Sequence, residues 1–290
     1  MLAIQHLTKQ FGAKPALSNI QLTFRPGVTG LLGPNGAGKS TLMRILATID
    51  QPTDGGVFYH GQNIAKKPNV FRQVLGYLPQ DFGVYPNLSA TEFLSYMAAM
   101  KGLRPKDAKR RIRELLDILN LTHTGKKALG GFSGGMKQRV GIAQALLSNP
   151  KVLIVDEPTV GLDPQERIAF RNLLVTLASD RIIILSTHIV SDIESIAPQI
   201  VVMKAGHVLA DTTPEQLIQE AEGKIWHAIV SIPRLPEMQQ QFLVSNAIQR
   251  ADGIHLRLIA NRKPILGAHP VEPTLEDAYL LKTGERRGDA

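Results

Sequence analysis

The stretch Gly33-Pro34-Asn35-Gly36-Ala37-Gly38-Lys39-Ser40 satisfies the pattern GxxxxGK[ST] at every defined position, and that pattern cradles the phosphates of a nucleoside triphosphate. Glycines let successive backbone N–H groups turn inward around phosphate oxygens, and the N-terminus of a following helix adds unpaired donors and partial positive charge. Lys39 supplies a full charge for the β- and γ-phosphates, the Ser40 hydroxyl suits Mg2+, and Thr41 completes the nucleotide-binding stretch. ATP or GTP is the first ligand to consider. A second group lies far downstream, where the apolar run Val152-Leu153-Ile154-Val155 ends in Asp156-Glu157-Pro158-Thr159. Asp156 is suited to hold Mg2+ through its water shell and Glu157 to polarise a water attacking the γ-phosphate, a role worth about 10²–10⁴ in rate. Alone, the acidic pair reads equally well as an ordinary strand terminus; beside a phosphate loop the catalytic reading prevails.

These residues need particular elements to hold them. Val28–Leu32 reads as an apolar strand entering the loop and Leu42–Ala47 as a helix leaving it, the context the loop requires. Val152–Val155 reads as a buried parallel strand presenting its carboxylates at the C-terminal end, where open α/β sheets bind ligands. Residues 2–27 alternate apolar and polar positions, with a Pro26-Gly27 turn, as an antiparallel β-layer covering the base side of a nucleotide. From Asp81 to Pro150 the pattern becomes helical, with Ala90–Met100 and Lys106–Leu119 as helices.

Between the two chemical groups lies Phe132-Ser133-Gly134-Gly135-Met136-Lys137-Gln138-Arg139, followed by a helical run Val140–Leu147. Ser133 and the N–H groups of Gly134 and Gly135 would open a helix whose positive end suits a second phosphate. This segment resembles the signature motif of ATP-binding cassette (ABC) ATPases, and further family positions follow in order. By resemblance, Phe11 stacks on adenine, Gln80 reaches Mg2+ and the attacking water, Gly161-Leu162-Asp163 runs beside a dimer seam, and His188 contacts the γ-phosphate. The resemblance implies catalytic roles for Glu157, His188 and Gln80, and metal contacts for Ser40, Gln80 and Asp156. It also implies that Ser133, Gly134, Gly135 and Met136 close on ATP held by a partner subunit, in a homodimer or heterodimer. Phe132 and Met136 replace the commoner Leu and Gln, and Phe11 the commoner Tyr; an apolar anchor and ring stacking survive, while Met136 loses a hydrogen-bonding amide.

The expected fold is α/β: a P-loop core sheet with an antiparallel β-layer and a helical subdomain at about 82–150, making an ATP-binding domain over 1–217. Residues 218–290 form a small α/β appendage, with strands at 224–232 and 254–260 and a helix over Leu235–Ser245. Thr274, with Asp277 three residues on, caps the last helix. The tail Val271–Leu280 resembles that of ATPases serving daunorubicin and sodium-efflux exporters. The expected function is thus ATP hydrolysis powering an exporter through separate integral-membrane permease subunits, with ATP and Mg2+ as cofactors. Phe82, Val84 and Tyr85, in the loop Asp81–Leu88, are either packed core or the place where such a partner couples.

Composition agrees with a folded protein of this kind. The chain has 290 residues, 43% of them hydrophobic, and no cysteine, which excludes disulfides and thiolate metal sites. No apolar stretch reaches the roughly 18–20 residues of a membrane span, and the N-terminus lacks a signal-peptide layout. The expected location is cytoplasmic, peripheral on the inner face of the cell membrane. The +8 charge is dispersed apart from Lys109-Arg110-Arg111, and Lys101–Arg113 reads as a solvated helix face, with an anionic membrane surface as the next reading; no nucleic acid is expected. A soluble ABC ATPase acting on ribosomes or DNA is the alternative, but it calls for paired cassettes or a long coiled coil, and this sequence has one cassette and no heptad run.

Overall fold

The computed structural model describes residues 1–159 and 162–284, divided into two units, Met1–Val208 and Leu209–Ala290. The strands are β1 (Leu2–Phe11), β2 (Lys14–Phe24), β3 (Gly27–Leu32), β4 (Asp54–Tyr59), β5 (Gln62–Asn63), β6 (Leu75–Leu78), β7 (Val152–Asp156), β8 (Ile182–Thr187), β9 (Gln199–Lys204), β10 (His207–Thr212), β11 (Ile225–Val230), β12 (Leu243–Arg250), β13 (Gly253–Ile259) and β14 (His269–Pro270). The α-helices are α1 (Lys39–Leu46), α2 (Pro68–Val74), α3 (Ala90–Met100), α4 (Pro105–Ile118), α5 (Gly134–Leu146), α6 (Pro164–Leu177), α7 (Val190–Glu194), α8 (Pro214–Gln219), α9 (Leu235–Gln241) and α10 (Leu275–Thr283).

In the first unit five strands of one sheet have the order β9-β3-β8-β7-β6 and pair in parallel. Strands β7 and β8 are buried at every position, as a sheet covered on both faces requires. A second sheet, β2-β1-β4-β5, is the expected antiparallel layer, extended by a β4–β5 hairpin that the sequence pattern did not reveal. Leu42, Met43, Ile45 and Leu46 of α1 join Leu2, Ile4, Leu7 and Leu17 of that layer and Ile154, Ile184 and Val201 of the parallel sheet in one apolar core. The loop that precedes α1 is therefore anchored by the helix it opens. Helix α5 packs on β6, α3 and α4, with Ser89 capping α3 through a reciprocal capping box.

The second unit is built on an antiparallel sheet, β12-β13-β11-β14. Met238 of α9 packs with Ala228, Val230, Ile254, Leu256 and Leu258 on one face. The expected helix over Leu235–Ser245 is corrected here: it ends at Gln241, and β12 starts at Leu243. Phe242 turns extended and packs with Val244 against this core, and pairing of Leu243 with Ile259 overrides local helix propensity. This unit begins before the expected boundary at 217, because α8 packs against α10.

Thr274 caps α10 with both bonds of the capping box present. Asp277, 1% exposed, accepts from Arg257 Nη2 at 2.5 Å and from the Ser245 hydroxyl. Burial, the largest influence on this carboxyl, pushes its pKa up, but Arg257, Ser245 and Thr274 together hold it below its ordinary value. Asp277→Ala is expected to cost about 3–5 kcal/mol, as breaking a buried pair does; urea denaturation followed by hydrogen exchange in β12 and β13 measures it.

On the same sheet His255 Nε2 lies 2.9 Å from Asp252 Oδ1, and His255 Nδ1 lies 3.0 Å from His227 Nε2. With both rings neutral, Asp252 accepts from His255, His255 accepts from His227, and Nδ1 of His227 is left with a lone pair. That nitrogen is buried and finds no partner among the described residues. Burial, then His269, His255, Arg257 and Arg250, hold His227 below its ordinary value of 6.5. An unfolded chain thus takes up this proton more readily than the folded one, so His227 contributes stability that is present above about pH 6.5 and is lost as pH falls below it through the lowered folded-state value. Protection against hydrogen exchange in β11 and β14, taken relative to the intrinsic exchange rate at each pH, is expected to fall from about pH 7.5 to about pH 5.5 in the native chain and much less in His227→Gln.

Candidate functional site

The β3–α1 loop is shaped by backbone constraint. Gly38, the residue before α1, has a φ of 101°, and a Cβ there would press on the Ala16 carbonyl and Leu17; only glycine adopts this turn without strain. Lys39 occupies the first position of α1, earlier than the expected start at Leu42, so its side chain rises from the helix N-terminus. Its Nζ donates to the Gly33 carbonyl at 2.6 Å and the Pro34 carbonyl at 3.3 Å, and lies 3.7 Å from Glu157 Oε1. Burial lowers the Lys39 pKa, while Glu157 and Asp156 oppose the shift.

Asp156 closes β7, and Glu157 follows with a φ of 50°, an unusual conformation for a non-glycine residue and one found at constrained sites. Two bonds fix it: the Glu157 N–H lies 3.1 Å from the Ser186 carbonyl and 3.1 Å from Ser186 Oγ. The Ser186 hydroxyl donates in turn to Asp156. Burial raises the Asp156 pKa, and hydrogen bonds from Ser186 and Ser40 act against it. Ser40 thus influences the Asp156 carboxyl, and both are residues expected at a metal. Glu157 is only 7% exposed, and its Oε2 lies 2.8 Å from His188 Nδ1. One carboxylate therefore stands between a buried ammonium and a half-exposed imidazole.

A cleft of about 460 Å3 opens above this group, lined by Phe11, Lys14–Ala16, Asn35–Thr41, Gln80, Glu157 and His188. Phe11 is 54% exposed at the end of β1, with Lys9 Nζ 4.9 Å above its ring, so a flat face is available for stacking. The structure thus gathers Phe11, Asn35, Gly36, Ala37, Gly38, Lys39, Ser40, Thr41, Gln80, Glu157 and His188 around one space. Gly33 and Pro34 serve it through the carbonyls that hold Lys39. Sequence reasoning missed Lys14, which carried no signal beyond its charge, and Ser186, whose signal was a hydroxyl inside an apolar strand.

Ser133, Gly134, Gly135 and Met136 do not line this cleft. They form the start of α5, with the Ser133 side chain accepting from the Met136 N–H at 3.2 Å. Leu162 is buried, and Asp163 caps α6 by accepting from the Glu166 N–H at 2.8 Å; Gly161 lies outside the described residues.

A phosphate loop, a strand-end carboxylate pair and a histidine on one parallel sheet define a P-loop nucleotide-hydrolysing protein. The ABC transporter family profile matches residues 17–160. The ABC transporter ATP-binding protein YxlF of Bacillus subtilis is 35% identical over 78% of this chain and 75% of its own length. The daunorubicin resistance ATP-binding protein DrrA3 of Streptomyces coeruleorubidus is 29% identical over 99% of this chain and 96% of its own. Among solved structures, an ATP-binding subunit of an ABC transporter superposes with a TM-score of 0.69 at 30% identity, covering 76% of this chain and 92% of the other. The chain belongs to the ABC transporter ATP-binding proteins, and it is an ATPase subunit of that family.

Proposed function

We propose that this chain powers an exporter by hydrolysing ATP at the cleft between Phe11 and His188. The observation that carries the proposal is the placement of Glu157, held between Lys39 and His188 at the end of β7 and facing the phosphate loop. Glu157 accepts a proton from water as that water attacks the γ-phosphorus; the bond to the β,γ-bridging oxygen breaks, and ADP and phosphate leave. The His188 hydrogen bond orients the carboxylate, and the α1 N-terminus with Lys39 balances charge on the phosphates. Ser40, Asp156 and Gln80 offer the oxygen donors that Mg2+ prefers. Mg2+, when bound, neutralises phosphate charge.

The signature residues lie away from the chain's own cleft, which supports a head-to-tail pair in which Ser133–Met136 of one cassette meets ATP held by another. Export is supported by the alignment with the daunorubicin resistance protein over nearly the whole of both chains, since an ATPase that confers resistance through a transporter must move the compound outward. No helix among the described residues is long and apolar enough to cross a membrane. As the family membership suggests, we assign the pathway to separate permease subunits, with this chain at the inner face of the membrane. We place their docking at the loop Asp81–Leu88. Phe82 packs edge-on against buried Phe93, while Tyr85 stays 53% exposed against Tyr96, with Met100 70% exposed on the same helix as Tyr96.

Sedimentation of Glu157→Gln with and without ATP tests the paired site. ATP-dependent dimers are expected; a chain that stays monomeric at saturating ATP contradicts the pairing.

A further inference from the structure

Gly135 is buried within the signature, and the space its side chain would fill is taken: a Cβ there would collide with both carboxylate oxygens of Glu166. Glu166 lies in the first turn of α6 and is 16% exposed at its side chain. Its Oε1 accepts from Arg139 Nη2 at 2.8 Å, and its Oε2 lies 3.4 Å from the Asp163 N–H. A single carboxylate therefore touches the second signature glycine, an arginine one turn further along α5, and the backbone of the loop leading into α6. A cavity of about 340 Å3 is lined by residues of both helices and of the end of α4, among them Ile118, Ile142, Phe170 and Leu173. The body of α5 rests on β6, α3 and α4. Among the described contacts, the Glu166 carboxylate joins the first two turns of α5 to α6 through Gly135 and Arg139.

We propose that Glu166 is a positioning residue that ties the signature to the loop Leu162-Asp163, so that Ser133–Met136 and that loop meet the partner cassette as one body. The proposal rests on the head-to-tail reading above. Its physical content is an ion pair that is largely desolvated and shared between two elements, where removing one partner leaves the other charge uncompensated. It also gives the glycine at 135 a reason within the chain: any side chain there evicts the carboxylate before a phosphate is involved.

The test uses full-length Glu157→Gln as parent, with Glu166→Gln, Arg139→Met and the double variant added. Three quantities are read: affinity for a fluorescent ATP analogue, ATP-driven self-association, and amide exchange at residues 134–139 without nucleotide. Each single variant is expected to keep nucleotide affinity within about twofold, to weaken self-association about tenfold and to speed exchange at 134–139, with the double variant no worse than either single. Gly135→Ala is expected to speed the same exchange. A merely structural role would lower nucleotide affinity in step with self-association, and that result, additive losses, or unchanged exchange overturns the proposal. If the parent itself fails to associate with ATP, the head-to-tail reading has failed instead; faster exchange in both singles without further change in the double then still upholds the tie, and its absence refutes it.

Discussion

Glu157→Gln is expected to bind ATP with near-normal affinity and to hydrolyse it about 10²–10⁴ times more slowly, the usual contribution of a positioned base. Glutamine keeps the shape of the side chain and a hydrogen bond to His188 Nδ1, but it cannot take a proton from water. The change is also conservative for folding: Glu157 is buried beside Lys39 and Asp156, and removing one negative charge from that group relieves the crowding of two carboxylates. The affinity for ATP separates the two meanings of a loss in rate. Slow turnover with intact binding identifies Glu157 as the base, whereas near-normal turnover assigns proton acceptance elsewhere, with His188 as the nearest candidate.

Lys39→Ala is expected to lose nucleotide binding itself, by about 2–5 kcal/mol, roughly 30- to 4,000-fold in Kd. Lys39 rises from the first position of α1 and is held over the loop by the Gly33 and Pro34 carbonyls, so its charge is placed before the ligand arrives. Alanine removes that charge and leaves Glu157 and Asp156 facing phosphate oxygens uncompensated, which makes the effect larger than one lost hydrogen bond. Titration with a fluorescent ATP analogue, with thermal unfolding to confirm an intact fold, measures it. Binding equal to that of the native chain would mean the cleft holds its phosphates in some other way.

The site was legible in the sequence wherever chemistry demanded a residue type at fixed spacing. Gly38 is required by its left-handed backbone, Lys39 and Ser40 by the phosphates, and Asp156-Glu157 by the end of an apolar strand; all of these line or border one cleft. The helical arm was legible because Ala90–Met100 carries a helical pattern; its Ser89 capping box came only with the structure. What escaped depends on contacts distant in the chain. Ser186 is polar within an apolar strand for the sake of Asp156 and Glu157, and Glu166 shapes the signature from a different helix. The β4–β5 hairpin and the early start of β12 are set by pairing partners, Val57 opposite Ile4 and Leu243 opposite Ile259, and local pattern carries little of that information.

Coupling of this ATPase to a membrane pathway is tested most directly by isolating tagged Glu157→Gln from its native cells, solubilised with ATP present, and identifying what accompanies it. A polytopic membrane protein, retained with ATP and reduced when Tyr85 is changed to Ala, is the predicted result. Ribosomal or DNA-bound partners, with no membrane protein, would contradict the assignment to an exporter.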